Sequence, residues 1–500
     1  MTRQASAPRY DVIVVGAGNA AMTAALSARK DGASVLMLEK APRAEFGGNS
    51  RFSGGLFRFA YEGIEEIMPL RPDLPARDWE RVDAGHYGSE RYLQDLMRVS
   101  QGQADPELAG ILTRESYPTM RWLTGQGVVW DWTSLWSLIS EERLRFNPGA
   151  VLQARNKGLG LMRDLFTATE RAGIDIAYQA KMVDFLQDDT GRVTGVRIRR
   201  AGGTEDAPAG ALVLASGGFE SNAEMRARYL GTGWDQVKVR GTRFNTGETL
   251  RMALEIGAKP VGHWQGCHAT PVDGNSAPVG DLQLTDRTNR LSYPYSIMVN
   301  RLGRRFVDEG EDLGGLTYAK IGRTFLEQPG AIAYQIYDRQ TIHLLEERYS
   351  TGTPVVAETL EELAQKLSLP TGALERTVEE FNASVQPGEF NPGERDGKGT
   401  RGLEPPKSNW ALPINSPPYT AYSVTCGITF TYGGIQIDAQ ARVVDTEDNP
   451  IPGLYATGEI TGSFFFHNYP GGAGLMRGAV FGRIGGANAA AEALGQPVAS

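Results

Sequence analysis

The chain has 500 residues, more than one ordinary hydrophobic core accommodates, so we expect two or three structural units. Hydrophobic residues make up 41% and charged residues 22%, as in a globular protein, and a net charge of −8 without a dense basic run argues against a nucleic-acid partner. The 61 glycines predict many tight turns and close approaches of the backbone to a ligand.

Cysteine use and hydropathy bear on the compartment. Cys267 and Cys426 are able to pair in principle, but so few cysteines in so long a chain indicate a reducing compartment. No apolar run approaches the roughly 20 residues that a membrane helix needs. The N-terminus lacks the charged start and separate apolar core of a signal peptide. We therefore expect a cytoplasmic protein without a membrane span.

The first predicted elements are a strand, a tight turn, a helix and a second strand in "YDVIVVGAGNAAMTAALSARKDGASVLMLEK". Residues 11–15 are apolar and β-branched, as in a buried parallel strand. Gly16 permits the turn, Gly18 lets a pyrophosphate approach the backbone, and Ala21 keeps helix and strand close. The helix N-terminus then faces the phosphates with its partial positive charge. Glu39 ends the second strand, where a carboxylate accepts hydrogen bonds from a ribose, so the motif predicts a dinucleotide site.

Later stretches of the chain are predicted to return to the same ligand. In "FGGNSRFSGGLFRFAY" (46–61), the glycine pairs suit a backbone lying against a flat ligand, with Asn49, Ser50 and Ser53 aimed at it. The stretches "GALVLASGGFESN" (210–222) and "GLYATGEITG" (453–462) are apolar strands that end in small-residue turns. The second of these is followed by "FFFHNYPGGAGLM" (464–476).

The middle of the chain carries no chemical motif. The stretch "TLEELAQKLSLPTGALERTVEEFNASV" predicts two amphipathic helices broken at Pro370, and residues 387–410 predict a surface loop. The tryptophan run "VVWDWTSLWSL" (128–138) predicts packing or, as the alternative, a wall of an apolar pocket. The five histidines lack metal-ligand spacing, so no metal site is expected.

Together these segments resemble the flavoprotein family of fumarate reductase and succinate dehydrogenase, which also contains 3-ketosteroid Δ1-dehydrogenases and tricarballylate dehydrogenase. The resemblance covers nearly the whole chain. Within this family the chain is most similar to tricarballylate dehydrogenase-like members through "GGNSRFSGG", "GHWQGCHA", "RRFVDEGED", "TYAKIGR" and "HNYPGGAGL". The resemblance implies an α/β protein, with FAD held between a Rossmann-like domain of the glutathione-reductase type (8–262 and 426–496) and an inserted α+β capping domain (263–425).

The cofactor residues expected from the motifs and the resemblance fall in the glycine-rich turns and their neighbours. They are Gly16, Gly18, Asn19, Ala20, Ala21, Glu39, Lys40, Gly48, Asn49, Ser50, Ser53, Gly54, Gly55, Met182, Ala215, Ser216, Gly217, Gly458, Glu459, Gly474 and Leu475. Succinate dehydrogenases attach FAD through a histidine in the second glycine cluster. Here the first histidine is His86, so the resemblance implies non-covalent FAD.

The resemblance also shows a departure from fumarate reductases. Their proton-donating arginine, a substrate-binding arginine and a histidine fall on Leu313, Tyr469 and Phe430, so simple fumarate reduction is not expected. Tyr469 and Gly471 instead resemble a tyrosine and a glycine of ketosteroid dehydrogenases, whose hydroxyl and amide hydrogen-bond the ketone oxygen and make the α-proton more acidic. A tyrosine packed in a turn is the alternative.

Further candidates are less sharply defined. His268 aligns with a fumarate-reductase histidine that holds a substrate carboxylate, and a core histidine is the alternative. Tyr318 lies five residues after Leu313, where ketosteroid enzymes have a tyrosine base, and is the candidate to replace it. Such a base needs its pKa of about 10 lowered or a relay to solvent. An arginine expected in tricarballylate dehydrogenases is Gly314 here. The possible carboxylate partners, among which the sequence does not choose, are Arg51, Arg240, Arg243, Arg287 and Arg290.

We therefore predict an FAD-dependent dehydrogenase acting on CH–CH groups, which forms a C=C bond beside a carboxylate or ketone of a small organic acid or cyclic oxo-acid. The alternatives are a 3-ketosteroid-type desaturase, a reductase of the opposite direction, and a non-catalytic flavin-binding electron-transfer protein. The sequence has no haem-attachment or iron–sulfur cysteine motif. Reoxidation is therefore expected to use an external acceptor: a quinone, another electron carrier or oxygen.

Overall fold

The computed structural model describes residues 10–133, 135, 137–139 and 143–497. The α-helices in these ranges are α1 Asn19–Lys30, α2 Ile64–Ile67, α3 Ala76–Trp79, α4 Ser89–Val99, α5 Pro106–Arg114, α6 Ser116–Gln126, α7 Lys157–Arg171, α8 Ala223–Leu230, α9 Glu248–Glu255, α10 Tyr318–Ile321, α11 Leu360–Lys366, α12 Ala373–Ser384 and α13 Ala473–Ala493.

The β-strands are β1 Tyr10–Val15, β2 Val35–Leu38, β3 Leu56–Phe57, β4 Val82–Asp83, β5 Trp130–Trp132, β6 Ser137–Ile139, β7 Leu144–Phe146, β8 Leu152–Ala154, β9 Asp175–Ala177, β10 Lys181–Gln187, β11 Val193–Arg200, β12 Gly203–Leu214, β13 Lys238–Val239, β14 Pro260–Val261, β15 Cys267–Asp273, β16 Ile297–Asn300, β17 Ile332–Tyr337, β18 Val355–Ala357, β19 Tyr419–Thr431, β20 Gly434–Ile435, β21 Arg442–Val444 and β22 Pro450–Ala456.

The first large sheet has the strand order β10-β11-β12-β1-β2-β9, with β22 also beside β12 and β21 beside β22. The strands β9, β2, β1, β12 and β22 are parallel to their neighbours in this series. Most apolar residues of β1, β2, β12 and β22 are buried because helices cover the sheet, which confirms the predicted strands in the first motif and in the two later apolar stretches.

Helices α1 and α13 pack against each other through small residues. A Cβ on Gly482 would lie 2.8 Å from the carbonyl oxygen of Ala20, and one on Gly486 would lie 2.1 Å from that of Ala24. Because these contacts leave no room for a side chain, the two helices approach to backbone contact. The N-termini of both helices therefore reach the same edge of the sheet, where β1, β2, β12 and β22 end.

The second large sheet is organised around β19. This strand of 13 residues pairs with β13, β15, β17 and β18, and β16 adds to β17. The expected boundary between residues 425 and 426 lies inside β19, and β13 comes from the part of the chain before residue 262. The two sheets together confirm a mixed α/β fold, whereas the division into a cofactor domain and a cap stays a prediction.

The remaining sequence features mostly serve packing. Helices α11 and α12 form the predicted amphipathic pair over a hydrophobic cluster of their own. Residues 387–410 contain neither helix nor strand. Trp130 packs edge-to-face on Phe57 with ring centroids 5.2 Å apart, while Trp136 lies outside the described residues. Cys267 and Cys426 are free and buried.

Candidate active site

A long cleft opens at the edge where the parallel strands end. It consists of two cavities that share Asn19, Ala20, Asn49, Ser50 and Glu459 in their walls. The predicted cofactor residues that line the first cavity are these five with Gly16, Gly18, Glu39, Lys40, Gly48, Met182, Ala215, Ser216 and Gly217. Those that line the second are the same five with Ser53, Gly54, Gly55, Gly458, Gly474 and Leu475. Ala21 alone lies apart, on the buried face of α1 in the core.

The first glycine-rich turn brings backbone to the cleft. Gly16 has φ +121°, and a Cβ there would lie 2.4 Å from the carbonyl oxygen of Ala215, so only glycine fits. The backbone N–H of Asn19 donates to Ser50 Oγ at 3.0 Å, which joins the start of α1 to the second glycine cluster. The N-terminus of α1 lines the cavity, and its first turn has no acidic residue to offset its partial positive charge.

Charged groups surround the far end of the first cavity. Glu39 is buried and accepts a hydrogen bond from the N–H of Ala41 at 2.7 Å. Burial raises the pKa of Glu39, and the Ala41 hydrogen bond and the charge of Lys40 oppose that rise. Lys40 and Lys181 both donate to Glu248, at 2.8 Å and 2.6 Å. The sequence motifs missed Glu248, because no recognised cofactor pattern covers the "RFNTGE" stretch.

Two buried carboxyl groups meet between the cavities. Glu459 accepts a hydrogen bond from the N–H of Thr431 at 2.9 Å, and Glu220 accepts one from Asn49 Nδ2 at 2.5 Å. Burial, followed by the charge of Glu459, raises the pKa of Glu220 well above its ordinary value. Burial and mutual repulsion therefore both disfavour a second negative charge on this pair.

The second cavity contains a pair of phenols. Tyr318 begins α10, and Tyr469 lies in the loop before α13; their hydroxyl groups hydrogen-bond each other. Both side chains are buried yet line the cavity. Burial raises the pKa of both phenols, and the contact with Tyr469 raises that of Tyr318 further. The charge of Arg240 opposes the rise in both.

His268 on β15 lies behind the phenols. Its ring stacks on Phe430 with centroids 5.3 Å apart and meets the rings of Tyr318 and Tyr469 at 4.9 Å and 5.1 Å. The ring is fully buried, and neither nitrogen has a hydrogen-bond partner within the described part of the chain. Burial, followed by the charge of Arg240, lowers its pKa well below the usual value. The imidazole is therefore neutral and supports the phenols from behind, without lining the cavity.

Two other expected positions are placed differently from the prediction. The Gly471 amide, expected to bond a substrate oxygen, donates instead to the carbonyl oxygen of Gly315 at 2.9 Å. Leu313, at the position of the fumarate-reductase proton donor, lines a neighbouring polar cleft with Arg58 and Arg98. Phe430 does line the second cavity, but it contributes an apolar ring.

The structure separates the five arginines that the sequence left unranked. Arg51 donates to the carbonyl oxygen of Ala44, Arg243 pairs with Glu45, Arg287 donates to the carbonyl oxygen of Gln283, and Arg290 is buried against Asp273. Arg240 is the member of this set that lines the second cavity. Arg348 and Arg477 also line it and were missed: Arg348 lies far from any recognised motif, and Arg477 directly follows the stretch 464–476 without being part of it.

Comparison with known proteins is consistent with this geometry. Residues 11–475 match the FAD binding domain family. The chain belongs to this family. Its membership confirms the resemblance to fumarate reductase-type flavoproteins, FAD as the cofactor, and an FAD-dependent oxidoreductase acting on CH–CH groups as the enzyme class.

Individual known proteins are also similar to this chain over nearly its whole length. A probable fumarate reductase, Ifc3 of Shewanella frigidimarina (strain NCIMB 400), is 30% identical over 97% of this chain and 75% of its own length. The 4-oxocyclohexanecarboxylate 2-dehydrogenase of Sinomonas cyclohexanicum is 30% identical over 97% of this chain and 94% of its own length. The open conformation of a flavocytochrome c3 fumarate reductase has a TM-score of 0.73 at 27% identity, covering 98% of this chain and 79% of that chain.

The residues present fit FAD. The cleft offers a glycine-lined helix N-terminus for phosphates, the buried Glu39 carboxylate for a ribose, and a glycine-rich wall for a flat ring. No group of three or more potential metal ligands occurs within the described ranges. Among the described helices, none combines the length and hydropathy required to cross a membrane.

Proposed function

We propose that the protein is an FAD-dependent dehydrogenase that forms a C=C bond beside a carboxylate or ketone of a small organic acid or cyclic oxo-acid. The observation that carries this proposal is the hydrogen-bonded pair of phenols, Tyr318 and Tyr469, in the wall of the second cavity. The name of the Sinomonas relative, a dehydrogenase of an oxocyclohexane acid, supports the same substrate class.

In this proposal Tyr469 polarises the substrate and Tyr318 removes a proton. The Tyr469 hydroxyl donates to the carbonyl oxygen, which makes the proton on the adjacent carbon more acidic. Tyr318 accepts that proton in its deprotonated form. When bound, FAD supplies the acceptor for the hydride that leaves the next carbon. The neutral His268 and Phe430 hold the phenols in place by ring packing and exclude water from that side.

The finer structural predictions belong to the same proposal. The parallel strands around β1, with the glycine turn and α1, support a Rossmann-like domain of the glutathione-reductase type, and the second sheet with α11 and α12 supports a cap. FAD is non-covalent in this proposal, because no histidine lines either cavity among the described residues. The reduced protein is reoxidised by an external acceptor, a quinone, an electron carrier or oxygen, in the cytoplasm.

Anaerobic bleaching of the flavin tests the proposal. The purified holoprotein is mixed without oxygen with tricarballylate, succinate, 4-oxocyclohexanecarboxylate or a 3-ketosteroid, and the visible spectrum is followed. We expect one of the acids to bleach the flavin, and Tyr469→Phe to slow that bleaching by about 100-fold or more.

The same experiment distinguishes the alternatives. If only the ketosteroid bleaches the flavin, the substrate is a steroid and not a small organic acid. If nothing bleaches the flavin, and a chemically reduced sample is reoxidised by the corresponding enoate, the protein is a reductase. If neither reaction occurs, the proposed dehydrogenation is wrong and a non-catalytic electron-transfer role replaces it.

A further inference from the structure

Arg240 is a buried cation in the wall of the second cavity. Its side chain donates from Nε to Thr429 Oγ1 at 3.0 Å and from Nη1 to the carbonyl oxygen of Phe52 at 3.0 Å. Both acceptors are uncharged. Among the residues that the structure describes, no carboxylate lies within 4.0 Å of this guanidinium, and Nη2 has no hydrogen-bond partner.

Several other buried arginines of this protein are neutralised by direct contact with a carboxylate. Arg290 meets Asp273 at 2.5 Å, and Arg305 meets Glu309 at 2.5 Å. A charge taken out of water without a counter-ion is costly, so a buried guanidinium that faces a cavity without one is suited to an anion from outside the chain. Arg240, only 8% exposed and in the cavity wall, meets this description.

The charges next to Arg240 leave the site electropositive. Arg348, in the same cavity wall, donates to Asp286 at 2.5 Å and Glu346 at 3.1 Å, and Lys157 lies 3.7 Å from Asp286. These two carboxylates face two cations, so the charge of Arg240 has no local counterpart. One further negative charge would balance this end of the cavity.

Arg477 lines the same cavity in a different setting. Its guanidinium carbon lies 4.8 Å from the ring centroid of Phe465 and 5.6 Å from that of Phe464, so aromatic faces offset its charge. It also lies on α13 near Glu459, which lines both cavities on the cofactor side. Arg240 instead interacts electrostatically with Tyr318 and Arg348, which also line this cavity.

We propose that Arg240 binds a carboxylate of the substrate and selects anionic acids over neutral ketones such as steroids. The free Nη2 and the shared Nη1 form the fork that a carboxylate accepts in bidentate fashion. The carboxylate is then fixed at one end of the cavity, and the reacting carbons lie towards Tyr469. The role of Arg240 during turnover rests on the proposed function, whereas the binding of a carboxylate to Arg240 does not depend on any reaction.

Calorimetric titration of the oxidised holoprotein tests the binding step. The probes are succinate, tricarballylate and 4-oxocyclohexanecarboxylate, each compared with its methyl ester. In the unchanged protein we expect at least one acid to bind, and its ester to bind about 10- to 100-fold more weakly. This comparison needs no variant and so does not depend on the folding of one.

Variants then assign the effect to one side chain. We expect Arg240→Gln to raise the Kd of that acid about 100-fold and Arg240→Lys about 10-fold, since lysine keeps the charge and loses the fork. The Kd of the ester should be the same in all three proteins. The control is Arg243→Gln, three residues along and exposed against Glu45, which should leave both Kd values unchanged.

The outcomes separate this inference from the proposed function. Equal binding of acid and ester, binding of none of the acids, or equal Kd values in the Arg240 variants would overturn the carboxylate site. Selective binding of an acid that never bleaches the flavin would keep the carboxylate site and remove the dehydrogenase. If a neutral ketone bleaches the flavin at a rate that Arg240→Gln leaves unchanged, the dehydrogenase is kept and the carboxylate site is removed.

Discussion

Tyr318 and Tyr469 are buried phenols whose ordinary pKa of about 10 is raised further by burial. In the proposed dehydrogenation Tyr318 must be deprotonated to accept a proton. A raised pKa means that the deprotonated fraction is small at neutral pH and increases as pH rises. We therefore expect kcat/KM for dehydrogenation to rise steadily with pH between 7 and 10, as measured by flavin reduction.

Two substitutions test whether the pH dependence of kcat/KM arises from Tyr318. Tyr318→Phe should lower the rate by about 100- to 10,000-fold and abolish the pH dependence. Tyr432→Phe is the matched control, because Tyr432 is another fully buried tyrosine whose hydroxyl has no hydrogen-bond partner within the described ranges. A profile that rises near pH 6 and then stays flat would contradict a tyrosine base.

At the scale of residues, the sequence predicted Tyr469 because its spacing from the glycine cluster is local information. Its contact with Tyr318 joins residues 151 positions apart in the chain, so it depends on tertiary structure. The choice of Arg240 among five arginines was equally inaccessible, since it depends on which guanidinium group the fold places in the wall of the second cavity. The sequence offered His268 as a carboxylate-binding candidate with a core histidine as the alternative, and its place behind the phenols depends on packing against Phe430.

At the scale of elements, the start of α13 is a tightly constrained junction in the site. Gly472, the residue before this helix, has φ +88°, and a Cβ there would lie 2.7 Å from the backbone nitrogen of Arg58. Gly495, after the same helix, has φ +67°, and a Cβ there would meet nothing within 4 Å. The two positions share the left-handed backbone and differ in the space available.

We expect Gly472→Ala to lower the thermal midpoint markedly and to weaken FAD retention, because β3 and the cavity wall must shift. Gly495→Ala should cost only the backbone strain, about 1 kcal/mol, and leave FAD retention unchanged. Thermal melts and flavin release by gel filtration measure both. Equal FAD retention in the two variants would show that the junction does not govern the site.

Predicted elements and observed ones agree where a pattern was local. The first strand–turn–helix unit and the amphipathic pair around Pro370 were predicted from periodicity and glycine spacing. The expected domain boundary between residues 425 and 426 stays a prediction, and β19 runs through this point as one strand. The sequence of β19 is typical of one continuous strand, but only the pairing of β19 with β15 and β17 shows to which sheet it belongs.

At the scale of the whole molecule, the cleft is assembled from segments spread from Gly16 to Gly478. These segments come together only in the folded state. A ligand that contacts all of them therefore stabilises the folded state and not the unfolded chain. We expect FAD at 100 times its Kd to add about 2.7 kcal/mol to the free energy of unfolding, with a thermal midpoint that rises with FAD concentration. Riboflavin, which lacks the phosphates and the adenosine, should add less at the same concentration. An FAD-independent midpoint would contradict a cofactor site in this cleft.

The strand β19 has a practical consequence for protein engineering. Its final residues include Thr429 and Phe430 in the second cavity, while its earlier residues carry the second sheet. A chimera that takes the central part of the chain from a relative would cut this strand if it were spliced at residue 426. Splice points before Tyr419 or after Thr431 keep the strand whole. To exchange substrate range between relatives, individual residues of β19 should therefore be substituted while the strand is kept whole. Transplanting the second sheet alone would also remove the part of the second cavity that β19 supplies.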